Sequence, residues 1–274
     1  MPTQMKSPIG IFDSGVGGLS VLRSIREELL HQDLIYFADQ AHVPYGPRPL
    51  EEVRGFADAI TRLLLGQGCP LIVVACNAAS AAALKTLRQT FPDIPFVGME
   101  PAVKPAAEQT HTGVVGVLAT PATFQGELYA SVVERFANGV EILQDPCPGL
   151  VGQIEKGDLQ GPQTRLILEK AIRPMLEKGI DTIVLGCTHY PFVIPLIQEI
   201  AGKNVRVIDP APAVARQTAR MMESHHIQPS SLEKGKTTYY TSGEPVKMIR
   251  FIDECFKMSC RVEKLSWKGN MLST

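Results

Sequence analysis

The sequence is short of most features that would assign it a partner quickly. Its 274 residues balance 27 Lys and Arg against 28 Asp and Glu, which leaves no basic footprint for nucleic acid. Asn77 and Ser80 interrupt the longest apolar run, so no stretch is long enough to span a membrane. The opening MPTQMKSPIGIFDSG lacks the apolar core of a signal peptide, and a cytoplasmic location is the expectation. Six cysteines (Cys69, Cys76, Cys147, Cys187, Cys255 and Cys260) include no CxxC pair. In a chain large enough to build its own core, free thiols in a reducing compartment are expected. Cys187 and His189 lack a second pair at finger-like spacing, so zinc is not expected. Gly15-x-Gly17-Gly18 lacks the third glycine of a dinucleotide fingerprint, and no lysine follows it to make a phosphate-binding loop. Nor does a lysine sit in a pyridoxal-phosphate context, so the expectation is chemistry without a cofactor.

What is present is organised around two similar stretches. LIVVACNAAS (71–80) and TIVLGCTHYP (182–191) each run from aliphatic and β-branched residues through a small residue to a cysteine, Cys76 or Cys187. Such runs read as strands buried on both faces of a parallel sheet. A residue able to cap a helix follows each thiol, Asn77 or Thr188, and then a stretch of helical character. The two thiols, 111 residues apart, are thereby placed at the carboxyl ends of parallel strands, where open α/β sheets bind ligands. A helix N-terminus beside each would favour the thiolate.

The remaining segments fit the same plan. Strands are expected at 9–12, 34–39, 96–98, 140–143, 205–210 and 237–243, and a strand followed by a turn over 113–123. Helices are expected at 19–30, 50–65, 78–89, 123–136, 163–178, 191–200, 211–222 and 244–256. Asp13 and Ser14 end the first strand on the same edge as the thiols. The Pro- and Gly-rich loop after the second strand puts Tyr45 and Gly46 there too. Two prolines at 98–105 suit a domain boundary, and GVVGVLATPAT after it repeats the opening IGIFDSGVG, as an internal duplication would. Residues 210–274, having no cysteine strand, are assigned to the first domain. Glu155, on a short helix, reads by composition alone as a solvated charge.

Two thiols on opposite sides of one ligand admit several chemistries. A disulfide would need Cα atoms within about 7 Å, and covalent catalysis needs one nucleophile with a base and an oxyanion hole. The third possibility is proton transfer at a carbon from both faces. Near-equivalent groups on pseudo-symmetric halves suit substrates and products that are mirror images, which favours racemisation. His189 is then the proton partner of Cys187, and Asp13 that of Cys76.

IGIFDSGVGGLSVL, YFADQAHVPYG, VVACNAAS, LGCTHYP and the later TSGEP resemble the signature segments of the glutamate racemases, in order and spacing, over nearly the whole chain. The resemblance implies an α/β fold: two pseudo-symmetric domains with mainly parallel sheets flanked by helices, 1–98 plus 210–274 and 99–209, with the active site in the cleft between them. It implies cofactor-independent two-base racemisation of glutamate for peptidoglycan, with Cys76 acting on the D-enantiomer and Cys187 on the L-enantiomer. Asp13 would assist Cys76, and Glu155 and His189 would assist Cys187. Substrate contacts would come from Asp13, Ser14, Tyr45, Gly46, Asn77, Ala78, Thr188 and His189. A homodimer is the expected assembly. Two departures stand out: Ala78 where the family has threonine, and Met99-Glu100 ahead of Pro101. The rival readings are a racemase of aspartate or another amino acid, and a non-catalytic binder of acidic amino acids.

Overall fold

In a computed structural model, residues 7–229, 233–269 and 271–273 are described. Residues 1–6, 270 and 274, and 230–232 of the polar linker expected over 225–236, lie outside that set. The chain alternates strand and helix from the start. It runs β1 (Ile9–Asp13), α1 (Leu19–Glu28), β2 (Leu34–Ala38), α2 (Leu50–Gly66), β3 (Ile72–Val74), α3 (Asn77–Thr90), β4 (Phe96–Gly98) and α4 (Val103–Gln109). A second series follows with β5 (Val114–Ala119), α5 (Pro121–Gln125), α6 (Glu127–Phe136), β6 (Glu141–Asp145), α7 (Leu150–Glu155) and α8 (Pro162–Glu177). It continues with β7 (Thr182–Gly186), a 3₁₀ turn (Tyr190–Val193), α9 (Ile194–Ala201) and β8 (Arg206–Ile208). The tail holds α10 (Ala211–Ser224), β9 (Thr237–Thr241), α11 (Pro245–Phe256), β10 (Val262–Lys264), β11 (Ser266–Lys268) and β12 (Met271–Ser273).

The strands make two parallel sheets and a small antiparallel hairpin. The first sheet has the order β10-β9-β2-β1-β3-β4, the second β6-β5-β7-β8, and β11 pairs with β12. Within the first sheet, β2-β1-β3-β4 has the same order as the whole second sheet when β5 is set on β1. The repeat seen in the sequence is therefore a topological repeat. Side chains alternate across each sheet as strand geometry requires. Ile9 and Ile11 of β1 join Leu34 and Tyr36 of β2 and Leu71 and Val73 in one core, while Phe12, Phe37 and Val74 pack on the opposite face. The first of these cores continues into Leu118, Ile183 and Leu185 of the second sheet, so the two halves share buried apolar contacts. Each fully buried aliphatic side chain there contributes about 1.5–3 kcal/mol.

Three segments differ from expectation. The helix expected over 123–136 is broken at Gly126, where a Cβ would fall 2.6 Å from Cβ of Ala81. The break lets α5 and α6 lie against α3. The proline-rich 98–105 segment, expected as a turn, contains the start of α4. Pro105 sits in the first helical turn, where the backbone N–H has no intrahelical acceptor to lose. The hairpin β11–β12 has no strand-like signal longer than three residues, and it folds against α2. Among the described residues no helix is long and apolar enough to cross a membrane.

Candidate active site

β1 and β3 are neighbours in the first sheet, and β5 and β7 in the second, yet the strands after β1 and β5 go to the other side. This reversal opens a crevice at the carboxyl ends of both central strand pairs. Cys76 follows β3 and Cys187 follows β7, 4% and 5% exposed respectively. Pairing in the second sheet ends with Ala119 beside Gly186, so Thr120 comes level with Cys187. Continuing the first sheet's register from Phe12 and Val74 brings Ser14 level with Cys76. The two thiols thus occupy equivalent places, each with a hydroxyl residue at its side. Asp13 has no acidic counterpart, because Ala119 stands at its place.

The surroundings of the thiols differ. Cys76 is itself the N-cap of α3, its Sγ accepting from Ala79 N at 3.5 Å and donating to Ser14 Oγ at 3.8 Å. Asn77, expected to cap, is instead buried with neither amide atom hydrogen-bonded. The helix N-terminus does not leave Cys76 as a thiolate. Burial and the nearby Asp13 carboxylate push its pKa well above the ordinary thiol range, outweighing the N–H of Ala79, so the thiol holds its proton. Asp13 is wholly buried and accepts from Gly18 N at 2.8 Å, with Thr188 Oγ1 at 3.4 Å. Burial raises its pKa, only partly offset by His189 and the Gly18 N–H.

Cys187 opens onto a 3₁₀ turn rather than an α-helix, so Thr188 caps nothing. Its Sγ lies 3.8 Å from His189 Nδ1, and His189 Nε2 donates to Glu155 Oε1 at 2.7 Å. Glu155 is not a solvated charge: its side chain is 12% exposed. It accepts from Val16 N at 2.7 Å and from Gln40 Nε2 at 3.0 Å. Burial opposes its ionisation, but the His189, Gln40 and Val16 donors outweigh it and lower its pKa. Burial likewise works against a charged His189. The bonds to Cys187 and Glu155 prevail and raise its pKa well above the ordinary histidine value. An imidazolium whose Nδ1–H faces Sγ can hold one proton between ring and sulfur.

The glycines of the first loop serve this arrangement. A Cβ on Gly15 would fall 1.9 Å from Glu155 Oε1, and one on Gly17 would fall 2.4 Å from His189 Nδ1. The anions met by the loop's N–H groups are therefore carboxylates of the chain itself, Glu155 at Val16 N and Asp13 at Gly18 N.

Ser14, Tyr45, Gly46, Cys76, Asn77, Ala78, Cys187, Thr188 and His189 all line one small cavity between the sheets. Asp13 and Glu155 stand behind it. Tyr45 donates its hydroxyl to Asp39 Oδ2 at 2.6 Å, so its place at the wall is that of a packed ring and a backbone. Pro44, Thr120 and Val151 complete the lining and were not identifiable from their own residue types. Aligning LAT (118–120) on FDS (12–14) would have found Thr120. Glu100 lines a separate groove with Arg88 and Gln217, away from the thiols. A larger cavity, of about 480 Å³, lies between α1, β9 and α11, but it holds a single half-buried thiol, Cys260, and no histidine. Burial singles out the smaller cavity, where two buried thiols meet buried acid–base partners.

Comparison with known proteins points the same way. Residues 9–218 match the family model described as Asp/Glu/Hydantoin racemase. A glutamate racemase of Roseiflexus sp. (strain RS-1) is 48% identical over 265 residues, 96% of this chain and 97% of that protein. The crystal structure of Escherichia coli glutamate racemase, in complex with L-glutamate and the activator UDP-MurNAc-ala, superposes with a TM-score of 0.83 at 32% identity. It covers 96% of this chain and all of that one. A glutamate racemase isoform from Bacillus anthracis gives 0.86 at 28% identity, covering 98% and 100%.

Proposed function

Because the chain belongs to the Asp/Glu/hydantoin racemase family, we propose that it is a glutamate racemase, an isomerase that inverts Cα with two thiols and no cofactor. The observation that carries this reading is the placement of Cys76 and Cys187 at matching strand ends of two sheets, both lining one cavity.

In the L-to-D direction, Cys187 as thiolate removes the Cα proton, with His189 beside it and Glu155 behind. The electron pair left on Cα delocalises into the substrate carboxylate. Cys76, whose pKa is raised by burial and by Asp13, delivers its proton to the opposite face. The product is the mirror image, and the two thiols have exchanged protonation states. In the reverse direction Cys76 must first give up its proton, and the buried Asp13, whose pKa is raised, is the neighbour able to take it. No lysine or arginine lines the cavity among the described residues. The substrate carboxylates would be held by the unpaired Asn77 amide, the first free N–H groups of α3 at Asn77 and Ala78, and the hydroxyls of Ser14, Thr120 and Thr188. The missing hydroxyl at Ala78 removes one neutral hydrogen bond, about 0.5–1.5 kcal/mol of binding, and leaves the backbone donor. The D-glutamate made would serve peptidoglycan synthesis in the cytoplasm, with the enzyme a homodimer in solution.

The test is incubation with D-glutamate in D₂O without added cofactor, following optical rotation and Cα deuterium together. Racemisation with deuterium uptake, abolished by Cys76→Ser and by Cys187→Ser, is the expected result. Exchange with aspartate but not glutamate would move the substrate and keep the mechanism. No exchange with either would leave a binding protein.

A further inference from the structure

Two segments in the sequence have no part in the racemisation scheme: the Gln40 that follows Asp39, and TSGEP at the end of β9. The structure joins them behind the site. Gln40 Oε1 lies 2.9 Å from Thr241 Oγ1, and Gln40 Nε2 donates to Glu155 Oε2 at 3.0 Å. A carboxylate only accepts, so the amide turned the other way would set oxygen against oxygen; Glu155 thereby fixes its orientation. Thr241 is anchored in turn, with Ala38 O at 3.1 Å and Gly243 N donating to its hydroxyl at 3.0 Å. Gly243 permits the close approach, since a Cβ there would fall 2.6 Å from Gln40 Cβ. A continuous chain of contacts thus runs from β9 through Gln40 and Glu155 to His189 and Cys187.

We propose that Gln40 is a positioning residue for the Cys187 side of the reaction. It holds Glu155 Oε2 so that Oε1 stays aimed at His189 Nε2 and the imidazole stays charged beside the thiol. The physical need is plain. Val16 N and His189 both bond Oε1, so without Gln40 the second oxygen has no protein donor among the described residues. A nearly buried carboxylate in that state turns toward another donor or takes up a proton. The first change moves the negative charge away from His189 and the second neutralises it, and either weakens what keeps His189 protonated. The inference rests on the racemase reading for its kinetic consequence, but not for its effect on His189.

The experiment compares wild type with Gln40→Leu and Gln40→Glu, measuring racemisation against pH and following the His189 ring by ¹⁵N NMR, assigned with His189→Asn. Gln40→Leu is expected to lower kcat by about ten- to a hundredfold, as loss of a hydrogen bond to a charged group does. KM should stay within about threefold, because Gln40 is absent from the cavity wall. His189 in this variant should lose its proton at lower pH than in wild type. Gln40→Glu keeps the shape and guards against a folding defect. It sets a second carboxyl against Glu155, near His189 and the buried Asp13, so its activity should recover as the pH falls and the two carboxyls come to share a proton. An unchanged His189 titration and unchanged kcat in Gln40→Leu would overturn the proposal. So would a loss confined to KM or to melting temperature. If wild type fails to racemise glutamate while the His189 titration still shifts in Gln40→Leu, the clamp stands and the racemase reading falls.

Discussion

At the residue scale, the decisive contacts cross from one half of the chain to the other. Gly17 is a glycine because His189 and Thr188 occupy the space its side chain would take. His189 has little freedom to yield, since its far nitrogen is held by Glu155 at 2.7 Å. A methyl group at this position must tilt the ring or push the loop away. Gly17→Ala is therefore expected to lower kcat/KM by about a hundredfold, the usual result of misplacing a reacting group by an ångström. The overpacking should cost about 1–3 kcal/mol in stability. Steady-state kinetics and urea melts on the same preparation check both. Wild-type activity in Gly17→Ala would refute the tight seat for His189. The sequence marked this loop as glycine-rich without showing what fills it, because the carboxylate bound by Val16 N comes from 139 residues away.

At the scale of elements, strands and helices were legible wherever the local pattern and the tertiary packing agree. β1, β2, β3, β4 and α2 lie within a residue or two of their expected limits. The second half departs more because its elements are set by contacts. Gly126 splits a helix to meet Ala81, and the turn after Cys187 tightens to 3₁₀. Asp181 shows how a loop is held at such a point. It accepts from Thr110 Oγ1 (2.8 Å), His111 N (2.5 Å), Thr112 N (3.0 Å) and Thr182 Oγ1 (3.0 Å), tying the approach to β5 onto β7. Partial burial opposes its charge, but these donors lower its pKa from 3.8 to about 2. A depressed carboxylate contributes stability that is present above its unfolded value and lost as pH falls through the folded one. Asp181→Asn should destabilise the protein by about 2 kcal/mol at neutral pH. The difference from wild type should shrink between about pH 4 and pH 2. Urea unfolding across that range measures it, and a constant difference would sink the assignment.

At the scale of the whole molecule, the cleft is closed. Its cavity leaves about 20 Å³ of water-accessible space, room for about one water and too little for an amino acid. Substrate can reach the thiols only if the cavity lining moves apart. Gly46 O accepts from Ala122 N at 3.1 Å, so the Tyr45–Gly46 loop bridges the halves. Cys76 and Cys187 should then react with iodoacetamide much more slowly than the half-buried Cys255 and Cys260, and glutamate should slow them further. Mass spectrometry of time-resolved alkylation reads the order directly. Alkylation of Cys76 and Cys187 at the rate of Cys255 would show that the closed cleft is not the resting state.

The sequence by itself determined the alternation of strand and helix, the repeat, and the two thiols at strand ends. Those are local patterns of hydrophobicity and turn chemistry, and each is readable within about twenty residues. It also carried the short motifs on which the family resemblance rests. Only the tertiary structure decided the protonation of the site. Whether Cys76 keeps its proton, whether Glu155 is a surface charge or a buried anchor, and what Gln40 and Thr120 face all depend on burial and on partners distant in the chain. Desolvation and hydrogen bonding set those properties through space, and no spacing along the sequence encodes them.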